Sequence, residues 1–262
     1  VKNATAPAPP RREEKSNESY DAFAYAYDRA LGERFFQAVR SVVDDVLDRY
    51  PADQKTHLDV ACGTGMVVNH FTTMHGYQSI GVDASVPMLG IARDRARNLV
   101  AGDYRALPFR RTFSRITCLY DSLNHVRDRI ELTRAFHSIQ RVMTPDSLFL
   151  FDMNHPDIYP EVWGSKAPFV ATGADYHLEM ATSYRKRDNV AKALVTGWAK
   201  LPRGKVAIHE LHQQRAFSER EIVECLDAAH LKPIEVLDFD PYDESNTLGA
   251  EGVKLFFVCR TV

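Results

Sequence analysis

The sequence predicts an α/β fold: a doubly wound, mostly parallel sheet that carries an inserted antiparallel one. Three observations predict it. Short buried apolar runs alternate with helical stretches as far as Asn154, a glycine-bearing turn follows the first of those runs, and beyond Asn154 the apolar residues switch to alternate positions. At 262 residues, 45% of them hydrophobic, the chain is long enough for one large α/β domain or a core with one insertion.

Residues 1–18 are polar and rich in proline and alanine, too poor in apolar groups to offset the entropy of ordering, and are expected to form a flexible tail. From "SYDAFAYAYDRALGERFF" the pattern turns helical, and Phe36, Val39, Val43, Val46 and Leu47 keep helical spacing until Pro51. Next come the strand "THLDVA", the helix "GMVVNHFTTM", the strand "QSIGVDA" and the helix "VPMLGIARDRA". The same rhythm continues through "NLVAGD", the strand "RITCLYD", the helix "RIELTRAFHSIQRVM" and the strand "SLFLFDM". Such alternation calls for parallel strands joined by right-handed crossovers, with ligands beyond the carboxyl ends of the strands.

After Asn154, "DYHLEMATSY", "NVAKALVTGWAKL" and "KVAIHELHQQRAF" alternate apolar and polar residues, the pattern of antiparallel strands with one wet side. Residues 160–217 are therefore expected to be an inserted β-lid, and 19–159 with 218–262 the core. The chain returns through a helix opened by the capping box Ser218 to Glu221 and through the strands "PIEVLDF" and "VKLFFVCR". The segment joining those two strands, "DPYDESNTLGAEG", is too polar for a crossover helix, so they should pair antiparallel.

Composition excludes several classes. A net charge of −2 gives no general attraction to nucleic acid, although Arg93, Arg95, Arg97, Arg105, Arg110, Arg111 and Arg115 make one region locally basic. No run approaches the ~20 apolar residues of a membrane span, and the first residues lack the apolar middle of a secretory signal. Cys62, Cys118, Cys225 and Cys259 are far apart, with no CxxC pair and no histidine at metal spacing. The expectation is a cytoplasmic protein with reduced thiols, no metal and no membrane partner.

The turn "LDVACGTGM" offers backbone N–H groups at a helix N-terminus, and Gly63 and Gly65 let a ligand approach closely. The third glycine of a dinucleotide fingerprint is replaced by Val68, and Asp59 beside the turn would repel a phosphate and welcome an ammonium group. Asp83, ending the second strand, can accept both hydroxyls of a ribose. Asp103 can accept from an exocyclic amine. Ribose, adenine and an amino acid together make S-adenosylmethionine.

"LDVACGTG", "GVDASVPML", "AGDYRALPF" and "CLYDSLNHV", in this order and spacing, resemble the class I S-adenosylmethionine-dependent methyltransferases. The resemblance implies a Rossmann-like seven-stranded sheet in the order 3-2-1-4-5-7-6, with strand 7 antiparallel. It also implies S-adenosylhomocysteine as product. By it Asp59, Gly63 and Gly65 would line the methionine end, Asp83 would hold the ribose, Met88 would pack on adenine and Asp103 would face its amine. Ala84, Gly102, Tyr104 and Tyr120 would complete the cofactor site, together with Ala61, which stands where many members have the first glycine of the turn.

Candidate acceptor groups lie at the end of the fourth strand, where Tyr120, Asp121, Asn124 and His125 would project near the sulfonium. His125 is the candidate general base, since similar small-molecule N-methyltransferases acting on amino sugars place a histidine here. In the helix these enzymes fold over the cofactor, Tyr20 is the best match for a tyrosine that approaches the acceptor, and Tyr27 the next. In the lid, Glu210 and His212 share a strand face and could meet a polar acceptor together with Arg215, while Trp163 roofs the pocket.

The sequence thus predicts methyl transfer to a small polar acceptor, to nitrogen before oxygen. Small-molecule O-methylation and cofactor binding without catalysis are the alternatives, and an NAD-dependent dehydrogenase ranks behind them. "YDSLN" replaces the "NPPY"-type residues of nucleic-acid amino-methyltransferases, which argues against DNA, and RNA is disfavoured apart from the arginine-rich stretch. An apolar outer face of the lid could serve a homodimer.

Overall fold

The computed structural model describes residues 12–164, 167–240 and 253–262. Helix α1 (Arg12–Tyr27) runs through a π-helical turn (Asp28–Gly32) into α2 (Glu33–Arg49). The core then alternates through β1 (Thr56–Val60), α3 (Met66–Thr73), β2 (Gln78–Asp83), α4 (Val86–Ala92), β3 (Leu99–Ala101), β4 (Arg115–Cys118), α5 (Arg129–Gln140) and β5 (Leu148–Asn154). A second sheet holds β6 (Phe169–Thr172), β7 (Tyr176–Arg185), β8 (Val190–Leu201) and β9 (Gly204–Arg215). The chain finishes with α6 (Glu219–Ala228), β10 (Leu231–Phe239) and β11 (Lys254–Thr261).

The main sheet has the order β3-β2-β1-β4-β5-β11-β10, parallel except for β11, which runs antiparallel to both β5 and β10. This is the expected 3-2-1-4-5-7-6 topology. The strands are apolar throughout because both faces are covered. Phe149 and Phe151 join Phe136 and Phe257 under α5 and α6, whereas Leu148 and Leu150 join Phe71, Phe256 and the valine stripe Val39, Val42, Val43 and Val46 of α2. Helix α6 opens with the expected capping box of Ser218 and Glu221. The segment joining β10 to β11 lies largely outside the described residues.

The second sheet is fully antiparallel, in the order β6-β7-β8-β9. Helix α1 is wedged between this sheet and α4. Its Ala22, Phe23, Ala24 and Ala26 pack with Met88 on one side and with Leu178, Val195 and Ile208 on the other. A helix covered on two sides has no single apolar stripe, and its small alanines let the layers close up. One correction follows. Residues 12–18, expected to belong to a flexible tail, form the first turns of α1, where the run "REEK" supplies good helix formers; residues 1–11 lie outside the described residues.

The turn after β1 is where local backbone decides the fold. Gly65 has φ +81°, and a Cβ there would stand 3.0 Å from the Cβ of Ala92 at the end of α4. Only glycine lets α3 begin this close to α4. Gly65→Ala is therefore expected to cost roughly 2 kcal/mol or more, from the left-handed backbone and the crowding together, read as a lowered urea midpoint at unchanged m-value.

Candidate active site

Two cavities open at the carboxyl ends of the parallel strands. The first, of about 270 Å³, is bordered by the glycine turn (Ala61, Gly63, Thr64), by Asp83, Ser85, Met88 and Tyr104, and by Tyr20 from α1. A side chain on Gly63 would meet nothing within 4 Å, so the turn faces open space. Asp83 is fixed at the mouth of that space, accepting the N–H of Gly63 at 2.8 Å and of Ser85 at 2.7 Å. Burial raises its pKa while those two N–H groups oppose the rise. Ala61 takes φ +56°, a left-handed conformation that glycine adopts at least cost. The turn is clamped from outside. Arg95 pairs with the buried Asp28 at 2.9 Å and donates to the Thr64 carbonyl at 3.2 Å, tying the end of α1 to the turn.

The second cavity, of about 450 Å³, lies beneath the lid sheet. Its walls are mainly apolar, with Leu31, Phe35, Ile158, Phe169, Leu178 and Met180 among them, and Trp163 also stands in the wall. Phe23, Tyr27, Tyr120, His125 and His212 border both cavities and form a waist between them. Here the Tyr120 hydroxyl and His212 Nε2 are buried with no hydrogen-bond partner among the described residues. Buried polar atoms cost free energy unless satisfied, so the waist is shaped for a polar ligand group.

The waist is held by charge. Tyr120 and Asp121 both adopt positive φ, 61° and 49°, and their consecutive N–H groups donate to the two carboxylate oxygens of Asp152 at 2.5 and 3.0 Å. Lys254, at the start of β11, donates to Asp121 at 2.5 Å and to Asp152 at 2.7 Å. Burial works against its charge, but the two carboxylates outweigh that and hold its pKa above the ordinary value. Gln214 donates to Asp121 at 2.5 Å and accepts from Tyr159 and Asn154.

His125 Nδ1 lies 3.0 Å from the Gln213 carbonyl. A carbonyl only accepts, so Nδ1 carries the hydrogen and Nε2 keeps a lone pair in the neutral ring. His212, whose ring lies tilted against Phe23 at 4.7 Å between centroids, has its pKa pushed down to about 4 by burial and by the charge of His125. Burial raises the Tyr27 and Tyr120 phenols far above their ordinary range, so both stay protonated donors.

The structure brings together His125, His212, Tyr27, Tyr120, Asp121 and Trp163 around the lid cavity, and Ala61, Gly63, Asp83, Met88, Tyr104 and Tyr20 around the smaller one. Tyr20 stands on the turn side, near Ser85 and 6.4 Å from the His212 ring, so Tyr27, not Tyr20, is the α1 tyrosine that reaches the lid cavity.

Other expected residues lie outside both cavities. Asp59 is 2% exposed beneath the turn, accepts from Thr117 at 2.6 Å, and has its pKa raised by burial to about 7. Gly65 packs on α4, and Ala84 is exposed. Gly102 packs on Val82, and Asp103 is engaged by Arg105 at 2.6 Å. Asn124 is fully buried and satisfied, donating to the Arg215 carbonyl and accepting from the Asn154 N–H. Glu210 accepts from Ser19 of α1, and Arg215 pairs with Glu221 at 2.8 Å over the Phe217 ring. Strand alternation explains the last case. With His212 facing inward, the next inward residue is Gln214, not Arg215. The sequence reading also missed Lys254, whose only local signal is a lysine opening an otherwise buried strand.

Comparison with known proteins agrees with this geometry. A family model described as a methyltransferase domain matches residues 58–146, the stretch from β1 to just before β5. An S-adenosylmethionine-dependent methyltransferase from Clostridium acetobutylicum superposes with a TM-score of 0.76 over 92% of this chain and 98% of its own, at 20% identity, a likeness of fold. Residues 58–146 thus match a methyltransferase-domain family, on a fold shared with S-adenosylmethionine-dependent methyltransferases. The chain is 36% identical over 106 residues, 40% of either chain, to the dTDP-3-amino-3,6-dideoxy-alpha-D-glucopyranose N,N-dimethyltransferase of Streptomyces fradiae. It is 26% identical to the dTDP-3-amino-3,4,6-trideoxy-alpha-D-glucopyranose N,N-dimethyltransferase of Streptomyces venezuelae, over 80% of this chain and 88% of that one. The chain spans about half the length of several curated relatives it matches, 58%, 40% and 55% for three of them. The family's cofactor fits the smaller cavity, where the open face of Gly63 and the fixed Asp83 carboxylate suit a nucleoside. Among the described residues no helix is long and apolar enough to cross a membrane.

Two measurements check the site. Lys254→Met leaves Asp121 and Asp152 without their cation and should cost about 3–5 kcal/mol in urea unfolding, part of it recovered when Asp121→Asn is added. In an NMR titration the His212 ring should protonate near pH 4. Because its folded pKa lies below the ordinary 6.5, its contribution to stability is complete above pH 6.5 and falls away as the pH drops toward about 4; a His212→Asn variant should lose that slope.

Proposed function

We propose that the protein methylates an amine nitrogen of a small molecule, with the cofactor beside the glycine turn and the acceptor beneath the lid. The observation that carries this reading is the shared waist, where His125, Tyr27, Tyr120 and His212 border both cavities and two of their polar atoms lack partners among the described residues. In this reading the core is 19–159 with 218–262, the segment 160–217 is the acceptor-side lid, and residues 1–18 precede the working domain.

Asp83, Ala61, Gly63, Met88 and Tyr104 would hold S-adenosylmethionine. Bound there, it supplies a methyl group on a positively charged sulfur. Much of the acceleration comes from holding the nucleophile in line. The roles of this chain's residues follow from their surroundings. An amine arrives as an ammonium ion and needs a lone pair. His125 Nε2, left unprotonated by the Nδ1–H bond to Gln213, can take that proton. His212 stays neutral and offers a hydrogen bond without charge repulsion. The protonated phenols of Tyr27 and Tyr120 orient the acceptor, and Phe23 keeps water out.

Apolar walls refine the acceptor. A body of apolar or weakly polar surface would lie against Phe169, Leu178 and Met180, with its amine at the polar waist. The two Streptomyces relatives, named as dimethyltransferases of amino sugars, support nitrogen over oxygen. The reading includes a reducing cytoplasmic setting, suited to four buried free thiols, and a homodimer through the outer lid face, where Val170, Leu194 and Leu211 are exposed.

Product masses from a panel of matched amines and alcohols test the nitrogen assignment: methylated amines are expected, and methyl ethers alone would overturn it. Asp83→Ala should weaken S-adenosylhomocysteine binding at least tenfold by calorimetry. His125→Ala should lower kcat by about a hundredfold while changing cofactor affinity little, the share expected of a general base.

A further inference from the structure

Away from both cavities, on the face of the main sheet covered by α2 and α3, three side chains converge. Asp44 of α2 points one carboxylate oxygen at His70 Nε2, 2.6 Å away, and at His75 Nε2, 2.8 Å away. The two imidazole nitrogens are themselves only 3.3 Å apart. From this convergence we propose that Asp44, His70 and His75 form a zinc-class metal site that clamps α2 onto the end of α3.

The geometry suits an ion. A triangle with these edges has a circumradius of about 1.7 Å, shorter than the roughly 2.0–2.1 Å of a zinc bond to nitrogen or oxygen, so one point about 1 Å off its plane reaches all three atoms. Two imidazole nitrogens with one carboxylate oxygen are borderline donors that favour zinc over the all-oxygen sites of magnesium or calcium. Without an ion, two imidazole nitrogens only 3.3 Å apart crowd onto one carboxylate oxygen. With an ion, both nitrogens become acceptors and the crowding is gone. The His70 side chain is only 7% exposed, but His75 and Asp44 reach solvent at 22% and 36%, which leaves room for water in a fourth tetrahedral position.

The position gives the site a structural task. His70 sits in the last turn of α3 and His75 just beyond its end, while α3 starts at the glycine turn. Helix α2 continues directly from α1 and its π-helical turn. Pinning α2 to α3 would anchor the strap that closes both cavities. Sequence reading finds no metal here because the ligands come as one aspartate and two histidines five apart across a helix end, not as a Cys or His pair at zinc-finger spacing.

The full-length protein, stripped with a chelator and dialysed, is titrated with Zn²⁺ by calorimetry and with Co²⁺ by visible absorption, and melted with and without Zn²⁺. The site predicts one equivalent per chain, the d–d bands of tetrahedral Co²⁺ and a higher Tm with Zn²⁺. His75→Ala and Asp44→Asn should each weaken Zn²⁺ binding about a hundredfold and abolish the Tm shift, while His177→Ala should leave both unchanged. Sub-stoichiometric binding, binding that survives both cluster variants, or binding lost in His212→Ala instead would overturn the proposal.

Discussion

The lid side of the waist depends on one buried carboxylate. Asp152, 1% exposed at the end of β5, accepts two consecutive backbone N–H groups from the end of β4 and is neutralised by Lys254 from β11. Left-handed backbone costs roughly 1–2 kcal/mol for a residue with a Cβ, and Tyr120 and Asp121 bear that cost in succession. Hydrogen bonds to a charged group contribute about 1.5–3 kcal/mol each, enough to offset it. The bend turns Tyr120 toward the waist and directs the chain into the short 3₁₀ turn that ends at His125. Three strands distant in sequence thus fix one corner of the site, and Gln214 carries the network into the lid.

Helix α1 performs the complementary task. It supplies Tyr20 to the cofactor-side cavity and Tyr27 to the waist, two helical turns apart on one face, with Phe23 between them touching both cavities. Its far end is locked to the glycine turn by Asp28 and Arg95. A strap shared by both cavities means that neither can be reshaped without the other. That coupling suits a reaction in which two molecules must meet in one geometry.

Much of this was legible in sequence because it is local. Buried runs such as "SLFLFDM" announce strands covered on both faces, "LDVACGTG" announces a ligand-binding turn, and the alternation of "KVAIHELHQQRAF" announces a half-wet strand. Asp83, Met88, His125 and His212, singled out by position relative to such elements, line the two cavities. What escaped is non-local. Lys254 and Asp152 read as ordinary members of apolar strands, and only the pairing of β11 with β5 brings them within reach of Asp121. Glu210 looked available because nothing nearby in sequence reveals that Ser19 engages it, whereas the Arg105 that holds Asp103 stands only two residues away. Arg215 was misread by one position along a strand, and that single step exchanges the inward face for the outward one.

The central claim is that a cofactor cavity and an acceptor cavity meet at the His125 and His212 waist. A crystal structure of the protein with S-adenosylhomocysteine and a bound amine tests it most directly. The account predicts the nucleoside hydroxyls on the Asp83 carboxylate, the sulfur directed at the waist, and the amine within hydrogen-bond reach of His125 Nε2 beneath the lid. Density for the nucleoside away from the glycine turn, or an amine bound outside the lid cavity, would contradict it.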